Sequence, residues 1–336
     1  MPRQARIDAP GALHHIIFRG MERRKIFRDD KDRKDLLDRM ADVFKETSTG
    51  CYAWSLIPNH VHLLLRTGTI PIAAVMRRLL TGYAVTFNRR HKRHGQLFQN
   101  RYKSILCQED PYLLELVRYI HLNPLRAGLV KDYAELCDYR FSGHSVILGR
   151  RKNDWQDIDY VLGLYDGNGG VARRRYKRYV EEGIEEGRRP DLVGGGLVRS
   201  LGGWRGVKGM RREGGRHKGD ERVLGDSSFV LEVPGETEEQ FERRYELKSR
   251  GYDIRDLATW VADIFEIEPE DILKAGKYRK VVPARSVFCY WAVRELGESA
   301  TSLAKVLGLT QPAVSISVKR GEKIVEGMGL KMNQFL

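Results

Sequence analysis

Pro58-Asn59-His60-Val61-His62-Leu63-Leu64-Leu65 places two histidines one residue apart, in a run that reads as a turn followed by a β-strand. Side chains alternate across a strand, so His60 and His62 share one face while Val61 and Leu63 take the other. Working outward, Cys51 to Ile57 forms the strand before the turn, Gly11 to Gly20 an earlier β-rich run, and Leu97 to Cys107 a later strand. Between them, Asp29 or Asp30 caps a helix with Leu36, Leu37, Met40 and Val43 at helical spacing. A second helix from Ile72 to Arg90 buries Val75, Met76, Leu79, Leu80, Tyr83 and Phe87 along one stripe. The order β-α-β-β-α-β predicts an α+β, ferredoxin-like domain with an antiparallel sheet. Helices cover one face of that sheet, and the histidines turn toward either a site or the core.

Two neutral imidazoles on a rigid strand can hold a divalent metal ion if a further ligand joins them. The run from Tyr112 to Pro124, opened by Asp110-Pro111, reads as a helix in which Tyr119 and Asn123 are four apart and share a face. Pro124 disfavours helical backbone at Asn123. The amide oxygen of Asn123 is a third metal ligand in this reading. One turn away, the Tyr119 hydroxyl can be a nucleophile that forms a covalent intermediate once its attack geometry is fixed.

From Asn88 to Lys103 the chain carries no acidic residue. Arg89, Arg90, Lys92, Arg93, Arg101 and Lys103 alternate with Phe98 and Tyr102. Cations follow phosphates and aromatic faces stack unpaired bases, so this stretch predicts a contact with single-stranded DNA. Arg19 and Arg23, near the end of the first strand, make a smaller basic cluster suited to a hairpin's phosphates.

The 336 residues hold 59 Lys and Arg against 45 Asp and Glu, a formal net charge of +14. That excess favours an anionic partner, with nucleic acid ahead of lipid because no anchor signal accompanies it. No apolar run approaches the roughly 18 residues needed to span a bilayer, and the basic start lacks an apolar signal core, so a cytoplasmic protein is expected. The four cysteines are dispersed without a Cys-x-x-Cys pair, which argues against a disulfide framework and a structural zinc site.

Texture divides the chain into 1–150, a connecting Gly/Arg-rich region 151–235, and a helical region 236–328. In the connector, Arg173 to Tyr179 reads as a basic helix whose Tyr176 and Tyr179 pack or touch DNA, and disorder competes with a small folded piece over 188–225. In the third region, Phe241 to Arg250 and Ile254 to Phe265 are amphipathic helices and Pro283 begins another. Ser299 or Thr301 starts a helix with Leu303-Ala304, followed by Gly308 and Val314. A small residue, a turn glycine and an anchoring aliphatic at this spacing predict a helix-turn-helix. Gln311, Ser315, Ser317, Lys319 and Arg320 then face the groove or phosphates of duplex DNA.

The strand with His60-Val61-His62, the helix with Tyr119-Ile120-His121-Leu122-Asn123-Pro124 and the opening 12–20 resemble the single-tyrosine HUH transposases of the IS200 type. The nearest branch is the one associated with repetitive extragenic palindromes. The third region is similar to the DNA-binding domain of the replication initiator DnaA. The first resemblance implies a ferredoxin-like HUH domain in which Tyr119 attacks DNA to leave a 5′-phosphotyrosine. It implies Mg²⁺ or Mn²⁺ on His60, His62 and Asn123. Single-stranded or hairpin DNA is the expected substrate, duplex DNA the partner of the third region, and a monomer or homodimer the active form. A catalytically inactive, sequence-specific DNA-binding regulator is the rival reading, and an RNA-binding protein a third.

Overall fold

The computed structural model describes residues 8, 10–165, 169–187, 189, 192, 222–225, 246–247, 250–274, 276, 278 and 280–332. The chain divides into two compact units, one holding residues 12–235 and the other residues 236–336. Each is described by itself.

The first unit is built on a sheet in the order β2-β3-β1-β4-β5, with β1 at Leu13–Arg19, β2 at Gly50–Ile57, β3 at His60–Arg66, β4 at Lys103–Cys107 and β5 at Val223–Leu224. The first four strands pair antiparallel. β5 joins β4 parallel, so the sheet is mixed, where the sequence predicted an antiparallel one. β5 comes from the connecting region, and Val223 and Leu224 are fully buried. Their pattern is too short to announce a strand; only β4's edge makes it one.

Two helices, α1 (Asp30–Glu46) and α2 (Ile72–Arg90), cover one face. Asp29 caps α1, its side chain accepting from the amides of Lys31 and Asp32. Leu36, Met40, Val75, Met76 and Leu79 pack there on Ile16, Phe18, Trp54, Val61 and Leu63. Each such aliphatic side chain contributes about 1.5–3 kcal/mol by leaving water.

The opposite face carries α3 (Glu109–Arg126), whose Leu113, Leu116, Val117 and Ile120 pack on Leu13, Ala53, Leu64 and Ile105. Short helices α4 (Tyr133–Asp138), α5 (Gly143–Ile147) and α6 (Ile158–Leu162) and the longer α7 (Gly169–Glu182) extend this layer. The basic helix predicted in the connector is therefore α7, and its Tyr176 is a buried packing residue. Arg66 ties the first turn of α3 to β3, pairing with Glu109 while its Nε donates to the Tyr52 hydroxyl at 2.5 Å.

Two local expectations are corrected. The predicted strand from Leu97 is shorter, because Met21 N donates to Leu97 O at 3.0 Å, Gln99 N donates to Arg19 O at 2.8 Å, and Asn100 turns left-handed at φ 57°. Only Lys103 onward pairs as β4. Helix α3 also runs through Pro124 to Arg126, so Asn123 is helical after all. The steric bias before proline is modest, and the missing proline donor falls in the last turn, where the Asn123 and Pro124 carbonyls still accept from Ala127 and Leu129.

The second unit contains α8 (Ile254–Phe265), α9 (Pro269–Leu273), α10 (Val281–Arg294), α11 (Ala300–Leu307) and α12 (Gln311–Met328). A capping box joins Asp253 and Asp256 at the start of α8. Ser299 caps α11, Gly308 ends it at φ +60°, and Thr310 caps α12. Leu303, Ala304, Leu307 and Val314 are buried among Phe288, Trp291 and Ala292. Gly321 lets α12 cross α10 closely, since a Cβ there would sit 1.9 Å from the Ser286 carbonyl oxygen. The helix predicted over 241–250 lies almost wholly outside the described residues, as do Leu197, Val198, Leu201 and Trp204.

Candidate active site

Register decides where the histidines point. Opposed residues of an antiparallel pair face the same way, and β1 sets Arg19 against His60 and Ile17 against His62. His15, Arg19, His60 and His62 therefore share the face covered by α3. There the Tyr119 ring stands edge-on to His62, with centroids 5.8 Å apart, and to His15, at 5.9 Å. The His60 and His62 rings are 5.1 Å apart. The two predicted motifs, sixty residues apart in sequence, meet at one place.

Both histidines are poised as neutral donors. Burial, with the Arg19 charge opposite, lowers the pKa of His60 to about 4. Burial, followed by His15, His60 and Arg19, holds His62 well below the ordinary imidazole value. The Asn59 amide nitrogen donates to Arg23 O at 3.2 Å, which turns its oxygen toward His60 Nδ1 at 2.7 Å. His60 Nδ1 thus carries the proton and Nε2 keeps its lone pair. His62 Nδ1 lies 3.0 Å from His15 Nε2, so a proton donated to His15 likewise leaves His62 Nε2 available. Asn123, in the next turn of α3, is buried, and its amide nitrogen has no partner among the described residues.

Two neutral imidazoles that keep their Nε2 lone pairs suit a divalent metal of borderline hardness, and Asn123 would add its amide oxygen, the unpartnered atom there being the amide nitrogen. Among the described residues no group of three or more His, Cys, Asp or Glu is arranged to hold a metal ion. A metal here would therefore rest on the two imidazoles and the Asn123 amide.

His15 and Asn59, which orient the two imidazoles, were not anticipated. Asn59 precedes the pair and could have been suspected as an orienting amide. Nothing in the sequence announces His15, because its place beside His62 is a matter of strand register.

The predicted DNA contacts sort into three groups. Arg19 lies beside His60, and Lys103 stands opposite Ile17 on the histidine face. Arg23, Arg89, Lys92 and Arg101 are exposed. Arg90 is exposed, and its guanidinium pairs with Asp32 and with Asp29 at 2.8 Å, so a phosphate would compete with those carboxylates. Arg93 is half-buried, leaning on the Phe87 ring at 5.8 Å. Phe98 and Tyr102 are half-buried against the α1–α2 core, with Phe98 edge-on to Phe18 at 5.4 Å. Both rings also line an open groove of about 1040 Å³ beside Leu80, Arg77 and Arg101.

In the second unit, Lys319 and Arg320 are exposed on α12, and Gln311 Nε2 donates to Ser315 Oγ at 2.9 Å. The Ser317 hydroxyl donates to Ala313 O at 2.9 Å, within the helix, and keeps its acceptor lone pairs.

On this face of the sheet the paired histidines meet the Tyr119 ring of the crossing helix α3. Residues 10–123 match the family model described as transposase, IS200 like, so the resemblance read from the sequence holds across about a third of the chain. A solved structure of a REP-associated tyrosine transposase bound to a REP hairpin is similar at 18% identity. That similarity covers 50% of this chain and 93% of that one, with a TM-score of 0.38. No curated protein matches the chain. Among the described residues no helix is long and apolar enough to cross a membrane.

Proposed function

We propose that the first unit cleaves and rejoins single-stranded DNA through a 5′-phosphotyrosine on Tyr119. The observation that carries this reading is the Tyr119 ring at 5.8 Å from His62 and 5.9 Å from His15, with Asn123 one turn along the same helical face.

In the cleavage step the Tyr119 oxygen bonds to phosphorus as the bond from phosphorus to the 3′ oxygen breaks. The tyrosyl proton leaves to water and the departing 3′ oxygen gains one from water. A 3′ hydroxyl attacking the phosphotyrosine reverses the exchange, so neither ATP nor an external nucleophile is consumed. His60, His62 and Asn123 would hold Mg²⁺ or Mn²⁺, which supplies electron withdrawal from the phosphorus. With two nitrogen donors, Mn²⁺ binds this set more tightly than Mg²⁺. Asn59 and His15 keep the imidazoles oriented, α3 aims the tyrosine, and Arg19 and Lys103 hold phosphates beside the cleaved linkage.

The second unit reads duplex DNA through α12, with Gln311, Ser315, Lys319 and Arg320 toward the groove or its phosphates. Through it the catalytic unit is delivered to a chosen element.

The test is a covalent adduct. Purified protein is incubated with hairpin-flanked single-stranded DNA and Mn²⁺ or Mg²⁺, and the adduct is resolved on a denaturing gel. Wild type forms it and Tyr119→Phe does not. Tight DNA binding without an adduct on any strand would leave the inactive-regulator reading standing instead.

A further inference from the structure

The stripe of α3 that carries Tyr119 and Asn123 has a third member. Arg126 follows Tyr119 by seven residues and Asn123 by three, which places all three along one helical face. Its guanidinium carbon lies 5.5 Å from the centroid of the Tyr119 ring. Nη2 donates to the Gly183 carbonyl at 3.2 Å. Nε and Nη1 are buried and donate to nothing among the described residues, and the Asn123 amide nitrogen is in the same condition.

Buried donors left empty are rare in folded proteins, and on a cation they are costlier still. The nearby carboxylates do not fill them. Glu186 acts on Arg126 electrostatically, but its oxygens bond Arg118 and, at 2.7 Å, Arg189. Glu115 is likewise shared between Arg118 at 2.9 Å and Arg189 at 3.0 Å. Arg118 and Arg189 are thus neutralised by these acids, while Arg126 has no carboxylate bonded to it among the described residues. A planar fork with open N–H groups beside a tyrosine, and a further open N–H on the same stripe, calls for a ligand that accepts hydrogen bonds and carries negative charge.

We propose that Arg126 is a catalytic residue that holds the non-bridging oxygens of the scissile phosphate, through Nε and Nη1, as Tyr119 attacks it. The assignment rests on the strand-transfer reading above. As the Tyr119 oxygen bonds to phosphorus and the 3′ oxygen leaves with a proton from water, these oxygens carry the charge that the fork neutralises. The same contact holds the phosphotyrosine until a 3′ hydroxyl returns.

The experiment separates phosphate binding from a helix-end role by removing charge from the DNA. Wild-type protein first maps the cleaved linkage by its adduct. Affinity is then measured for hairpin-flanked strands with a phosphate or an uncharged methylphosphonate at that linkage, using Tyr119→Phe and Tyr119→Phe/Arg126→Gln so that no chemistry intervenes. Neutralising the linkage should weaken binding to Tyr119→Phe about 10-fold and to the double variant less than about 2-fold. In the otherwise wild-type chain, Arg126→Gln should slow adduct formation about 100-fold. Arg126→Lys, which keeps charge without the fork, should fall between and guards against a folding defect in the glutamine variant. Equal methylphosphonate penalties with and without Arg126, or a melting temperature lowered with the adduct rate unchanged, overturn the assignment while leaving the strand-transfer reading intact. No adduct from wild type overturns both.

Discussion

Acidification should unlock the α3 layer, and the structure sets the size of the effect. His62, His121 and His144 are buried and hold their protons poorly: burial keeps His62 and His121 well below the ordinary value and brings His144 to about 3. The Tyr176 hydroxyl lies 2.7 Å from Nδ1 of both His121 and His144. One hydroxyl proton can serve only one of them, so the other imidazole donates to the tyrosine oxygen; both rings are neutral and committed to a tautomer. The unfolded chain protonates each histidine near pH 6.5, whereas the folded chain does not. Below about pH 6.5 the unfolded state therefore binds more protons, and stability is lost as pH falls until the folded values are reached. Each group costs about 1.4 kcal/mol per pH unit below 6.5 for as long as its folded form stays neutral; His144, neutral down to about 3, costs about 2 kcal/mol at pH 5, and His62 and His121 add to it. Amide hydrogen exchange of peptides from α3, corrected for intrinsic rates, should show protection falling steeply from pH 7 to pH 5. His144→Gln should flatten that dependence by about a third. Equal corrected protection at the two pH values would refute the claim that these imidazoles are held neutral.

Other consequences follow from single contacts. Because Tyr119 and His62 meet within one chain, a mixture of Tyr119→Phe and His62→Ala proteins should form no adduct; restored adduct would show that the working site is shared between copies. Gly321→Ala pushes a Cβ to within 1.9 Å of the Ser286 carbonyl, and α10 and α12 must part. Calorimetry should show the second unit destabilised by about 1–3 kcal/mol with the first unit's transition unmoved. If Arg101 and Lys103 hold phosphates, Arg101→Gln and Lys103→Gln should each reduce the slope of log affinity against log salt by about 1, read by fluorescence anisotropy on single-stranded DNA.

Much of the candidate site was legible because its placement depends on short periods. The alternation of a strand put His60 and His62 on one side, and the helical repeat put Tyr119 with Asn123. The same local rules marked the caps at Asp29 and Ser299 and the turn at Gly308. Composition could say that cations abound, but not which were already spent. Arg90 looked like its neighbours in sequence and is bound to Asp29 and Asp32, sixty residues away. Phe98 and Tyr102 looked like stacking rings, and the core claims much of both.

What the sequence by itself determined is the set of reactive groups and the local element that carries each, since side-chain periodicity, capping and turn chemistry act over a few residues. Only the tertiary structure decided that α3 lies on the histidine face, that His15 orients His62, that residues 223–224 complete the sheet, and that Arg126 stands over Tyr119 with donors unfilled among the described residues. Those outcomes are set by strand register and by competition among distant partners for the same buried donors and acceptors, and neither leaves a periodic trace along the chain.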